Sequence, residues 1–151
     1  MKKVTAVAGL LLMLAAFAQG HAASAADGKW NQQKITGLAI ELAETVKRIR
    51  HDPGLRQPQS GIVQQRMYDA ALLDLERLER LTDELAEALK DGQGFLQTRP
   101  TFQRILDQRQ NILDYVRTAR VAESVEKTAY RFRQLLDELA TYYQIEFDPN
   151  Q

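Results

Sequence analysis

The sequence predicts an all-α protein, a four-helix antiparallel up-down bundle that follows a cleaved signal peptide. Three observations lead to this prediction. From Trp30 onward, apolar residues recur three and four positions apart, which is the period of an amphipathic helix. No segment alternates apolar and polar residues as a strand does. Four helical stretches of about 20 to 30 residues are separated by short breaks, which is the pattern of an up-down bundle.

Residues 1–25 are predicted to form a signal peptide, and 26–151 the helical bundle domain. Lys2 and Lys3 precede a charge-free apolar run over 4–18, and an Ala-x-Ala pattern follows it, ending at Ala25. The apolar run is shorter than the ~20 residues that span a bilayer, and no second run follows, so we expect no membrane span. The basic start and the alanine-rich run are typical of bacterial export, which predicts a periplasmic or secreted protein.

The first helix is predicted from about Trp30 to His51. Its core-facing stripe consists of Ile35, Leu38, Ala39, Leu42, Ala43, Val46 and Ile49. Pro53 ends the helix because proline has no backbone N–H to continue it. Ser60 is a candidate N-cap for the second helix.

The second helix is predicted to be the longest, from about Gly61 to Lys90. Its stripe follows heptad spacing through Tyr68, Ala71, Leu75, Leu78, Thr82, Leu85 and Leu89. Heptad spacing is typical of coiled-coil packing. Gly92 is suited to the left-handed conformation that closes a helix C-terminus.

The third helix is predicted to open at Thr98-Arg99-Pro100, because proline is favoured in a first helical turn. Its stripe consists of Phe102, Ile105, Leu106, Arg109, Ile112, Leu113 and Val116. Arg109 interrupts this stripe, and its long side chain is expected to reach solvent from there.

The fourth helix is predicted to follow a tight break between Thr118 and Ser124. Its stripe consists of Ala122, Val125, Ala129, Phe132, Leu136, Leu139 and Tyr143. The step from Val116 to Ala122 is six positions, where seven would keep the heptad, so the last two stripes are out of phase. The alternative is one long bent helix, which would be unusual in a globular domain.

The last helix carries an aromatic-x-x-Arg-x-x-Leu-x-x-Leu-Ala-x-x-Tyr pattern within residues 129–143 (AYRFRQLLDELATYY), after the segment ILDYV at 112–116. In this pattern, over roughly the last 35 residues, the chain resembles a group of small exported bacterial helical-bundle proteins that are functionally uncharacterised. The resemblance implies export and a bundle, and it implies no chemistry.

Composition and motifs exclude several classes of function. The 20 Lys and Arg residues balance 20 Asp and Glu residues, whereas a nucleic-acid-binding domain is normally basic, so we expect no nucleic acid. The absence of Cys excludes disulfides, thiolate zinc sites, iron–sulfur clusters and a Cys nucleophile. No G-x-S-x-G, phosphate-binding glycine loop or H-E-x-x-H is present. Beyond residue 25 the only histidine is His51, at a helix end, so we expect no enzyme.

No metal or other cofactor is expected either. The Glu-x-x-His pairs of di-iron bundles are missing, and no histidine lies on a core stripe to bind haem. The second helix is rich in acidic residues, namely Glu76, Glu79, Asp83, Glu84 and Glu87. Arg77 and Arg80 are interleaved with them, which is typical of a solvated helix face.

Two groups of basic residues are candidate contacts for an anion, a phospholipid headgroup or an acidic partner. One surrounds the first loop and the other flanks the last connection: Arg48, Arg50, His51 and Arg56, and Arg117, Arg120, Arg131 and Arg133. The simpler interpretation is solubility and favourable charge at helix C-termini.

Aromatic residues are concentrated at both ends of the bundle domain, which four antiparallel helices would bring together. The candidate partner-binding residues there are Trp30, Arg131, Tyr142, Tyr143 and Phe147. Tyr and Trp often dominate binding surfaces, but the rings could equally close the core with their polar atoms at its rim.

The predicted function is therefore an exported, non-enzymatic protein-interaction module whose partner is another protein. One alternative is a periplasmic chaperone-like protein, although the Leu-Thr-x-x-Gln motif of helical examples does not occur. The other is a carrier of a small ligand or metal within the bundle. A homo-oligomer is left open.

Overall fold

A computed structural model describes residues 30–55 and 61–145, which fold into four helices. The helices are α1 (Gln32–His51), α2 (Ile62–Lys90), α3 (Phe95–Thr118) and α4 (Glu123–Tyr143), with a short 3-10 helix at Pro53–Leu55. Each helix packs against the next along the chain, and α4 returns to α1, while α3 and α4 pack least closely. The predicted all-α four-helix bundle is confirmed. The predicted signal peptide lies outside the described residues.

Ion pairs between helices show that neighbours run in opposite directions. Partners later in α1 lie earlier in α2 or α4, as in Lys34–Glu138, Glu41–Arg131, Lys47–Asp83 and Arg50–Glu79. Contacts from α3 to α2 show the same reversal, through Thr101–Glu84 and Asn111–Asp74. The bundle is therefore antiparallel.

The core is formed by the helix faces that the apolar period predicts. All seven predicted positions of α1 are buried, and so are Ala71, Leu75, Leu78, Thr82, Leu85 and Leu89 in α2. In α4 the predicted stripe is buried from Val125 to Tyr143, but Ala122 is exposed. Ala122 has extended backbone and N-caps α4, so the preceding Val121 turns into the core in its place.

Three threonines are the buried polar residues in the described part of the chain, and each donates to a carbonyl one turn earlier in its own helix. The acceptors are Glu41 O for Thr45, Leu78 O for Thr82 and Gly94 O for Thr98, at 2.7, 3.0 and 2.9 Å. These bonds satisfy the donor of each hydroxyl within its own helix, and only Thr98 among the three also bonds to another helix, through the Tyr143 hydroxyl at 2.8 Å. Arg109 is half-buried and donates to Leu106 O at 3.0 Å, and burial lowers the pKa of its guanidinium.

The connections confirm the predicted stops. Gly92 has a φ of 81°, the left-handed conformation that glycine adopts without strain. The chain leaves the helical conformation between Thr118 and Glu123, where Arg120 has a φ of 49°. The last two stripes therefore belong to two separate helices.

The 3-10 helix fastens the first loop to the far end of α3 and to the start of α4. Leu55 is buried, and its carbonyl accepts the hydroxyl of Tyr115 at 3.2 Å. The N–H of Ala122 donates to Gly54 O at 3.0 Å. A Cβ on Gly54 would collide with the Cβ of Ala122, so this close approach requires glycine.

The predicted start of α3 and the predicted N-cap of α2 are wrong. Helix α3 begins at Phe95, and Pro100 therefore lies in its second turn rather than its first. The earlier start brings the Phe95 ring within 5.8 Å of the Trp30 ring, a tertiary contact that outweighs the backbone hydrogen bond lost at proline. The N-cap of α2 is Gly61, in extended conformation, rather than Ser60.

The acidic face of α2 is not uniformly solvated as predicted. The side chain of Glu79 is only 18% exposed and accepts from Arg50 at 2.6 Å, and Asp83 accepts from Lys47 at 2.8 Å. These carboxylates join α2 to α1. Their partners were not recognisable from the sequence because they come from another helix.

Candidate functional site

The end of the bundle that contains the N-terminus of α1 holds an aromatic cluster. The Tyr143 ring stacks on Phe102 and Phe95, with centroids 4.5 and 5.9 Å apart, and meets Trp30 edge-on at 5.3 Å. The structure therefore brings Trp30 and Tyr143 together. Phe95 and Phe102 complete the cluster and were not included in the predicted site.

Tyr143 is a core residue. Its side chain is fully buried, and its hydroxyl forms a 2.8 Å hydrogen bond with the Thr98 hydroxyl. Burial raises the pKa of Tyr143 to about 12, although the bond to Thr98 acts in the opposite direction. A partner cannot reach this ring in the folded protein, so Tyr143 closes the core.

Trp30 is half-buried, and its polar atom is occupied within the chain. The indole N–H donates to Gln32 Oε1 at 2.8 Å. The Gln32 amide in turn donates to Leu89 O and Gln93 O at 2.8 and 3.1 Å. Trp30 and Gln32 therefore fasten the start of α1 to the last turn of α2, a role that the sequence pattern did not indicate.

The other predicted contact residues are also engaged internally or lie outside the described residues, and Arg131 lies more than three turns before Tyr143 in α4, away from this end. The Arg131 guanidinium binds Glu41 Oε1 through two nitrogens, at 2.7 and 2.8 Å. Tyr142 is half-buried, with the Lys34 ammonium 5.5 Å from its ring centroid. Phe147 lies outside the described residues. Among the described residues at this end, the large apolar side chain that is exposed to solvent is Leu96, at 73%.

The basic group near the first loop is dispersed into separate contacts. Arg50 binds Glu79, and Arg48 donates to Thr45 Oγ1 at 2.9 Å. His51 is exposed, and Arg56 lies outside the described residues. At the last connection, Arg117 pairs with Asp114 one turn earlier in α3. Neither group forms a converging anion site in the described chain.

The start of α2 carries the largest exposed apolar side chains outside the aromatic end, apart from Tyr130. Residues 61–70 are all exposed except the half-buried Tyr68. Ile62 is 75% exposed, Val63 66%, Met67 41%, and the next large apolar residue that is exposed, Leu73, 57%. We call these four side chains the apolar start of α2.

The apolar start of α2 was missed, although the sequence contained a signal for it. The heptad stripe of α2 begins at Tyr68, and one heptad earlier its phase would require apolar residues at Gly61 and Gln64. Ile62 and Val63 fall between these two positions and so face away from the stripe. Apolar residues that are out of phase with the stripe of their own helix cannot reach the core, so they are left on the surface.

A groove of about 530 Å³ lies between α2 and α3. It is lined by Arg77, Arg80, Leu81, Glu84, Arg104, Asp107 and Gln108. Within 30–55 and 61–145, the groove included, no group of three or more His, Asp or Glu side chains converges on a point that could hold a metal ion. No helix within these ranges has the length and apolar character to cross a membrane.

No family model, curated protein sequence or solved structure matches this chain.

Proposed function

We propose that this chain is an exported, non-enzymatic protein-interaction module that binds another protein through the apolar start of α2. The observation that carries the proposal is the exposure of Ile62, Val63 and Met67 within the first two turns of one helix. Burial of apolar surface is the main driving force of association. Large exposed apolar surfaces often mark sites of protein–protein interaction.

The form of this patch also supports a protein partner. A helix that presents apolar residues on its outer side can pack against a helix or groove of another protein. Met67 adds a flexible and polarisable side chain, which adapts well to a binding surface. The export pattern in residues 1–25 supports a partner outside the cytoplasm.

Affinity capture from the exported-protein fraction of the source organism tests the proposal, with two variants compared against the wild type. Val63→Glu places a charge in the apolar start of α2. Leu96→Glu makes the same type of change at an equally exposed leucine near the other end of α2, at the start of α3. Both variants should melt as the wild type does, because both side chains are exposed.

We expect a partner that the wild type retains, that Val63→Glu loses and that Leu96→Glu keeps. Loss with Leu96→Glu alone would place the partner at the aromatic end. A partner that both variants retain would mean that the apolar start of α2 does not bind it, and the proposal would be dropped.

A chaperone-like function is the second candidate, because the same exposed apolar side chains could shield unfolded chains. The two functions differ in selectivity. A chaperone suppresses aggregation of many unrelated unfolded proteins, whereas an interaction module retains one partner. An aggregation assay with several unrelated client proteins, with Val63→Glu as the control, separates them.

A further inference from the structure

Helix α2 extends beyond the neighbouring helix α3 at its N-terminal end. The Asn111–Asp74 hydrogen bond sets the register of α3 on α2, and by this register Thr118, the last residue of α3, lies level with Met67. Residues 62–66 therefore lie beyond the end of α3, and all of them are exposed. A helical turn without tertiary contacts is only marginally stable by itself, so packing against a partner would stabilise this extension.

The exposed apolar residues at this end of α2 share one face of the helix. At 3.6 residues per turn they lie within an arc of about 140°, and they are Ile62, Val63, Met67, Ala70 and Leu73. The buried residues nearest to them lie on the other side of the helix, and these are Ala71, Leu75 and Leu78. Helix α2 therefore has a second apolar face, directed away from its own bundle, which we call the outer face of α2.

Arg66 interrupts the outer face of α2 and has no partner within the described chain. It lies between Ile62 and Ala70 on this face, and it makes no hydrogen bond or ion pair with any residue that the structure describes. Asp69 follows three residues later and is also exposed, and its carboxylate accepts the Gln65 amide at 2.7 Å rather than a cation. A protein that covers the outer face must bring a carboxylate to Arg66, because burying an unpaired charge is costly.

A second copy of α2 supplies this carboxylate when it runs in the opposite direction. If the two-fold axis of such a pair lies level with Tyr68, Arg66 of one copy is level with Ala70 of the other. Asp69 of that other copy is then one residue away along the helix, or about 1.5 Å. The two-fold axis repeats every contact, so both Arg66–Asp69 pairs form at the same time.

The same pairing matches the apolar residues and separates the two bundles. Val63 of one copy lies level with Leu73 of the other, so apolar side chains meet apolar side chains. The buried part of α2 begins at Ala71 in each copy, and opposed helix directions place the two bundles at opposite ends of the pair. A parallel pair would set the bundles side by side and bring the two Arg66 side chains to the same level, where they repel.

We propose that a second copy of this chain occupies the apolar start of α2, with the two helices paired antiparallel over residues 62–73. The inference rests on the proposed function, because it names the partner of that same site. A two-fold pair is closed, so it gives a dimer rather than a filament. A contact about 18 Å long buries less than the roughly 800 Å² per partner of a stable interface, so the dimer forms reversibly at high protein concentration.

Sedimentation velocity with the purified protein, from micromolar to millimolar concentration, tests this inference. Val63→Glu places a charge within the paired face, and Leu96→Glu is the matched control at the aromatic end. Arg66→Glu and Asp69→Arg each replace an attraction between the two copies by a repulsion. None of the four variants should change the melting temperature, because all four side chains are exposed.

We expect the wild type to pass from monomer to dimer within this range of concentration. Val63→Glu should weaken the dimer at least about tenfold, because its charge would be buried without a partner, while Leu96→Glu should dimerise as the wild type does. Arg66→Glu and Asp69→Arg should each dimerise more weakly than the wild type. When the two are mixed in equal amounts they should form a heterodimer, because the introduced glutamate then meets the introduced arginine and the native Arg66 meets the native Asp69.

A wild type that stays monomeric at every concentration would overturn the inference. A dimer that Val63→Glu leaves intact would do the same, as would charge variants that fail to associate when mixed. The capture experiment shows which proposal has failed. A monomeric wild type that retains a different protein, lost with Val63→Glu, would reject the second copy and keep the proposed function. A wild type that dimerises as expected, while Val63→Glu still captures a different protein, would keep the second copy and reject this site for that protein.

Discussion

The buried hydroxyl of Tyr143 predicts how the stability of this protein depends on alkaline pH. The ring is fully buried between Phe102 and Trp30, and the hydroxyl bonds to Thr98. Ionisation would place a negative charge in this apolar cluster. Burial consequently raises the pKa of Tyr143 to about 12, from an ordinary value of 10.0.

The sign and size of the effect follow from this difference in pKa. The unfolded chain loses the Tyr143 proton near pH 10, while the folded protein keeps it. The free energy of unfolding therefore has its full value below pH 10 and decreases as the pH rises toward about 12. Each unit of difference between the folded and unfolded pKa values is worth ~1.4 kcal/mol. The loss of stability is therefore about 1.4 kcal/mol at pH 11 and close to 3 kcal/mol at most.

Tyr143→Phe isolates this contribution from that of other tyrosines and lysines. At neutral pH the variant should be less stable by about 1 kcal/mol, the usual value of one hydrogen bond. Thr98 keeps its bond to Gly94 O, so no buried donor is left unpaired. Because phenylalanine does not ionise, the variant avoids the alkaline loss, and the two stability curves should cross near pH 11.

Urea unfolding at a series of pH values from neutral to about pH 11.5 measures both curves. Tyr130→Phe serves as the control, since Tyr130 is 65% exposed and its replacement should leave the shape of the curve unchanged. A constant difference between wild type and Tyr143→Phe over the whole range would refute the reasoning. It would mean that water reaches the hydroxyl and that the ring is not a sealed part of the core.

Two of the remaining predictions depend on the fold and two on the sequence. Leu78→Ala should cost about 2–5 kcal/mol in urea unfolding, and Glu79→Ala about 1 kcal/mol, since Glu79 pairs with Arg50; equal losses would contradict the packing of α2. Gly54→Ala should destabilise the protein by about 1–3 kcal/mol, because the new methyl group would collide with Ala122, just before α4. Gly37→Ala has open space around its new methyl group and should stabilise α1 by about 0.5–1 kcal/mol. N-terminal sequencing of the exported protein should show cleavage between residues 22 and 26, and a start at residue 1 would contradict export. We expect no bound metal, so a chelator should leave the melting temperature unchanged. A lower melting temperature would contradict this, because removing a metal that binds only the folded protein destabilises it.

The parts of the fold that local physics determines were predictable from the sequence. The stripe of α1 is buried at every predicted position, and Pro53 and Gly92 mark helix ends as expected. Periodicity, the missing proline N–H and the left-handed conformation of glycine each act within a few residues, so no knowledge of tertiary contacts is needed. Coiled-coil packing of α2 and cleavage of the signal peptide stay predictions.

Features that depend on another helix were not predictable in this way. Helix α3 begins at Phe95 because that ring packs on Trp30, more than sixty residues earlier in the chain. Glu79 looked solvated because its partner, Arg50, lies on α1. At the aromatic end, the adjacency of Trp30 and Tyr143 followed from the topology. Their burial depends on Phe95 and Phe102, and the sequence pattern did not indicate that these two rings pack against them.

The distribution of polar groups argues for a function at the surface rather than inside the bundle. In the part of the chain that the structure describes, the buried polar residues are Thr45, Thr82 and Thr98. Each hydroxyl already bonds to a carbonyl of its own helix, so none of these three threonines is free to orient a polar ligand, which disfavours the carrier alternative. Exposed large apolar side chains are concentrated on the outer side of α2, which is why a partner is best sought there.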